Sequence, residues 1–166
     1  MNRLCYALAV VAVAICATVI LTTSAALPAT VASHFNAPGD ANGYMSRAEY
    51  ETMMLALATG IPLSLMLLMA TVPRIAPALI HVPNLRPWLD SPRRDEAIAV
   101  LGAYGAIGAI LLTTCIAGVH LVVLRANAQS PPHLDSAALG LVIGGFMLAI
   151  ALWVIAMALR FRGGPR

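Results

Sequence analysis

Four long apolar runs constrain this chain more than any other feature, and none of them is interrupted by Asp, Glu, Lys or Arg. They cover Leu4 to Leu27, Thr52 to Val72, Ala97 to Leu124 and Ser136 to Leu159. About 20 apolar helical residues cross a bilayer's hydrocarbon core, so each run is long enough to span. Backbone in lipid must satisfy its own hydrogen bonds, which leaves helices or closed barrels. Unalternating runs of this length predict helices. The expected fold is an all-α integral membrane protein: a four-transmembrane-helix bundle, one membrane domain over residues 1–166, with the lipid bilayer as its first partner. With 10% charged residues, against about a quarter in soluble domains, the chain has too few charges to cover a water-facing surface. The first run follows Arg3 and ends near the small residues Ser24 to Ala26, as a signal peptide would. A signal core is about 7–15 residues long, and this run exceeds it, so a retained helix is expected.

Charge placement predicts orientation. All ten basic residues are Arg, spread over the ends and connectors rather than clustered, which argues against a nucleic-acid partner. Arg3, Arg74, Arg86, Arg93, Arg94, Arg160, Arg162 and Arg166 share one side of a four-span chain, and Arg47 and Arg125 the other. The positive-inside rule then puts both termini in the cytoplasm, an outer loop at 28–51 and an inner connector at 73–96. Ser46 and Glu49 form a capping-box pattern for the second helix, and Pro73 is expected to end it. Ser91 and Pro92 precede the third helix, whose first turn holds Asp95 and Glu96, and Asp135 is placed to cap the fourth. Trp88 and Trp153 are expected at the cytoplasmic interface, Tyr44 and Tyr50 at the outer one. Pro73, Pro77, Pro83 and Pro87 exclude a regular helix between 73 and 90. That stretch reads as an interfacial connector with Arg toward acidic headgroups, or as a docking surface for a cytoplasmic partner.

Small residues mark where helices approach in lipid. Gly102 with Ala106 and Gly105 with Ala109 line the third span, and Ser136, Gly140 and Gly144 the fourth. Packing within the bundle is the first reading, and self-association through the fourth span the second. Gly60 and Pro62 are expected to bend the second span. Cys5, Cys16 and Cys115 all lie within apolar runs, which argues against a disulfide framework.

Little catalytic chemistry is on offer. His120 is the ionisable imidazole within the spans, and no nucleophile–base set, paired-cysteine motif or phosphate loop occurs. Asp40, Asn42 and Gly43 read as a turn rather than a calcium loop. His34, His120 and His133, with Asp40, Glu49 and Asp135, would suit zinc or copper if they met. The expected reading is that they do not, with His120 bonded to a backbone carbonyl. Neither an enzyme, a cofactor nor a metal is expected.

The loop after the first span carries a pattern: Leu27 and Pro28, then His34, Phe35 and Asn36, then Gly39, Gly43, Ser46 and Arg47. It resembles the signature of a bacterial membrane-protein family, the uncharacterised domain at the N-terminus of Sdp-type immunity proteins, with Arg47 where that signature has Lys. Larger members protect producer cells from a secreted killing peptide and signal its presence; this chain has four spans and lacks their further membrane half. The resemblance implies a bacterial inner-membrane protein that senses or neutralises an extracellular peptide or membrane stress. It points to His34, Phe35, Asn36, Gly39 and Gly43 as the recognition residues. The residues themselves suit a folded lid, with Gly39 and Gly43 allowing left-handed turns and Phe35 placed to dip into the interface. The alternative is an accessory subunit that packs against a larger membrane transport or secretion complex through the third and fourth spans.

Overall fold

The computed structural model describes residues 2–163; Arg166, counted above with the basic C-terminus, lies outside them. Four helices are long and apolar enough to cross a membrane. They are α1 (Asn2–Ser24), α2 (Arg47–Ile75), α4 (Arg94–Asn127) and α5 (Ser136–Phe161). A five-residue helix α3 (Leu85–Leu89) follows a 3₁₀ turn at Pro77–Leu79 in the connector between α2 and α4. The helical bundle carries one addition that hydrophobic periodicity did not announce. Strands β1 (Thr30–Phe35) and β2 (Ala41–Ser46) form an antiparallel hairpin between α1 and α2.

Helix α4 is the centre of the bundle and packs on α1, α2 and α5. Lipid supplies no hydrophobic drive between helices, so close van der Waals contact must hold them, and α4 provides it with small residues. Ala106 and Ala109 are buried against Ala9 of α1. A Cβ on Gly102 would collide with the Tyr6 hydroxyl, and one on Gly105 would lie 2.6 Å from Met69 Cβ. Both glycines lie where side chains of a neighbouring helix come close to the α4 backbone. Within the chain nothing approaches the Cβ positions of Gly140 and Gly144 within 4 Å, because α5 turns other residues toward α4. Val142 packs on Gly118, and Trp153 Nε1 donates to the Tyr104 carbonyl at 3.0 Å.

Several end signals act as expected. Ser46 and Glu49 make a complete capping box, and Asp135 accepts from the Ala138 N–H. Pro73 does not stop α2, which continues to Ile75. A proline forfeits one backbone donor, but its own φ suits a helix, and the Ala76 N–H still reaches the Val72 carbonyl at 2.9 Å. The second half of the connector packs on the bundle. Leu85, Trp88 and Leu89 are buried against Ile98, Leu101 and Phe161, closing that end of the bundle. Two guanidiniums approach the Trp88 ring, with Arg93 and Arg160 Cζ 4.9 and 5.0 Å from its centre. Glu96 bridges the same two arginines.

Candidate functional site

The hairpin end gathers most of the polar side-chain chemistry singled out in the sequence. At 1.5 Å per residue the 34-residue α4 is about 51 Å long, well beyond a hydrocarbon core of about 30 Å. Its last turn supports the hairpin. Asn127 is the joint. Its Oδ1 accepts from the Ala32 N–H at 2.8 Å, and its Nδ2 donates to the Ala32 carbonyl at 2.9 Å and to the Val123 carbonyl at 3.0 Å. One side-chain amide thereby satisfies both backbone groups of a strand residue, as a neighbouring strand would.

Two further ties fix the hairpin. Arg47 Nη1 donates to the carbonyls of Ala25 and Leu27, just past the end of α1, at 3.2 and 3.1 Å. Those carbonyls have no helical partner, and a guanidinium is a good substitute. At the hairpin tip, the Leu134 N–H donates to the Gly39 carbonyl at 2.8 Å, while His133 Nδ1 lies 3.4 Å from Asp40 Oδ1. The connector between α4 and α5 is thus bridged to the tip.

Within the hairpin the five expected recognition residues divide in two. Asn36 builds the turn: its Oδ1 accepts from the N–H groups of Gly39 and Asp40 at 3.0 and 2.7 Å. Gly39 has φ +104°, and a Cβ there would lie 2.5 Å from the Leu134 carbonyl. Gly43 is not in a left-handed turn; the only positive-φ glycine among the described residues is Gly39. Its reason is space, since a Cβ would come within 2.9 Å of His34 Cβ across the ladder. Phe35, half-buried, packs on the cluster of Val122, Ala126 and Leu134. His34 is exposed, with Ser33 Oγ 3.0 Å from its Nδ1. Tyr44, expected in an interfacial belt, stands 56% exposed on the other strand.

Tyr50 corrects the same belt assignment. It is buried, and its hydroxyl lies 3.0 Å from His120 Nδ1. On the other side of the ring, Thr23 Oγ1 lies 2.7 Å from Nε2 and also donates to the Val19 carbonyl at 2.6 Å. A hydroxyl has one proton, so Thr23, having given its own to Val19, accepts from His120 Nε2–H. Nδ1 is then bare and accepts from Tyr50. The network assigns a neutral imidazole with its proton on Nε2, joining α1, α2 and α4 through side chains rather than the expected backbone carbonyl. His34, His120 and His133 have separate partners, and no group of three His, Cys, Asp or Glu gathers among the described residues.

Asn127, Arg47 and Thr23 were not singled out as contacts in the sequence. A polar side chain in the last turn of a long apolar run, as Asn127 is, was the available signal. Comparison with protein-family models, curated proteins and solved structures finds no match to this chain.

Proposed function

We propose that the protein is a non-enzymatic bacterial inner-membrane protein of the Sdp immunity type, with cytoplasmic termini, whose hairpin meets an extracellular peptide. The observation that carries this reading is the division of labour in the hairpin. Asn36, Gly39, Gly43 and Phe35 are used up in framing it, while His34 and Tyr44 stand exposed on a framework tied to α1, α4 and the α4–α5 connector. Exposed aromatic and imidazole groups on a rigid support suit peptide recognition, because little side-chain or loop entropy is lost on binding. The four-span bundle supplies the anchor and the Arg asymmetry supplies the orientation.

The test expresses the chain in a peptide-sensitive bacterium challenged with spent medium from peptide-secreting strains. Raised survival with the wild-type protein, lost in His34→Ala and Tyr44→Ala at equal membrane abundance, supports the reading. Survival that the wild-type protein does not raise, or that both variants keep, overturns it.

One observation favours the accessory-subunit reading. Gly140, Gly144 and Gly145 of α5 face open space, and Leu141, Met147, Leu148 and Leu152 around them are more than half exposed. Under that reading a larger membrane protein covers this face, and Gly140→Leu with Gly144→Leu releases it in mild detergent. A partner that stays bound removes the support.

A further inference from the structure

The hairpin has two edges, and the fold treats them differently. On the β1 side, the N–H and C=O of Ala32 are both taken by the Asn127 amide. Opposed pairs in an antiparallel ladder alternate between bonding each other and turning their backbone groups outward. Ala32 is opposite Tyr44 and turns its groups out to Asn127, so Tyr44 turns its own N–H and C=O to the far side of β2. No third strand lies there, since the sheet has only β1 and β2. Among the described residues, no loop, helix or side chain bonds to the Tyr44 backbone.

The ends of this edge are closed and its middle is open. The Ser46 N–H, two residues on from that of Tyr44, donates to Glu49 Oε2 at 2.8 Å. Near the tip, the Gly39 carbonyl takes the Leu134 N–H. Between these closures Asn42 and Tyr44 are exposed. Charged side chains and proline are devices that keep a strand edge from pairing. β2 reads Ala-Asn-Gly-Tyr-Met-Ser and has neither. One edge is thus covered by a dedicated amide, while the other presents an unguarded donor and acceptor in strand geometry.

We infer that an extended peptide segment adds to β2 as a third strand, bonding through its backbone to the Tyr44 N–H and C=O and setting an apolar side chain against the Tyr44 ring. The chemistry of the edge selects this occupant, because a donor and an acceptor spaced along a strand are matched by another strand. Main-chain bonds supply affinity, and the residue beside Tyr44 supplies selectivity. This mode of contact rests on the reading that the hairpin meets an extracellular peptide.

The test follows amide hydrogen exchange in the full chain, isotope-labelled at tyrosine and methionine and purified in mild detergent. The probe is the peptide fraction of spent medium from peptide-secreting strains. In the free protein the Tyr44 amide exchanges fast, while that of Met45, in the bonding pair with Val31, is protected. Adding the fraction slows Tyr44 exchange by roughly tenfold or more, as a formed backbone bond protects its amide. Two variants separate backbone from ring: Tyr44→Ala loses the ring alone, and Tyr44→Pro loses the ring and the N–H. Proline is tolerated where an edge N–H faces outward. The proline variant binds the fraction roughly fivefold more weakly than the alanine variant, the equivalent of one backbone bond at about 1 kcal/mol. Should Tyr44→Pro lose Met45 protection, and so its hairpin, exchange in the wild-type protein decides alone. Slowed Tyr44 exchange without raised survival supports strand addition and overturns the protective role. Raised survival with Tyr44 exchange unchanged overturns strand addition and leaves the peptide reading standing. A Tyr44 amide already slow in the free protein, or equal binding by two folded variants, also overturns strand addition.

Discussion

A histidine inside a lipid-crossing helix is costly unless both ring nitrogens find partners. His120 is fully buried and finds them in Tyr50 and Thr23, one from each of the other two helices in the core. Replacing it with Leu removes both bonds and leaves the buried Tyr50 hydroxyl without its acceptor. An orphaned buried group costs about 1–3 kcal/mol, while hydrogen bonds between membrane helices average about 0.6 kcal/mol. His120→Leu is expected to lose about 1–3 kcal/mol, and Tyr50→Phe, which leaves only the ring nitrogen bare, about 1 kcal/mol. Thermal unfolding in detergent reads both, and a His120→Leu midpoint equal to wild type would show that the triad contributes nothing. The sequence displayed His120 as an ionisable residue in a span, but Tyr50 and Thr23 lie 70 and 97 residues away in the chain. Only the packing of three helices could name them.

At the scale of elements, the hairpin is a small sheet that would not stand alone. Two strands are marginal in water, and this pair is held by an amide from α4, a guanidinium from the start of α2 and the α4–α5 connector. Asn127→Ala removes two bonds to the Ala32 backbone at once, at about 1 kcal/mol each. Hydrogen exchange over residues 30–46 is expected to quicken by roughly tenfold to thirtyfold for such a loss, with the spans unaffected. Unchanged protection would mean that Arg47 and Leu134 suffice. Strand alternation was present in Val31 and Met45 but was masked by Gly, Pro and Asn, which read as loop. The ladder also contains register shifts between Ala32 and Phe35, which blur a period of two. The glycines show the same limit. Gly102 and Gly105 each have a small residue four positions on, as Gly140 does in Gly144, yet within the chain only Gly102 and Gly105 have neighbours. Spacing identifies a face open to close approach and is silent on whether another helix occupies it.

At the scale of the whole molecule, four crossings return the chain to the side from which it started, so the hairpin and the basic connector lie on opposite faces of a membrane. With eight of ten Arg on the connector side, the orientation proposed above puts the hairpin outside. In a background with Cys5, Cys16 and Cys115 replaced, a membrane-impermeant maleimide is expected to label Asn42→Cys in intact cells and Pro92→Cys only after permeabilisation. The reverse pattern would invert the orientation and remove the hairpin from any extracellular ligand. What the sequence determined by itself follows from local and additive physics: four runs long enough to span, the Ser46–Glu49 box, the Asp135 cap and the unequal charge of the two sides. These depend on residues within a few turns of each other or on simple sums. What only the tertiary structure decided depends on which distant surfaces meet. It placed Trp88 under the end of the bundle, set α5 at the edge with its glycines open, and turned a Gly- and Pro-rich loop into a sheet clamped by Asn127. A polar group in lipid demands a partner wherever the fold can bring one, and the chain's order does not say from where.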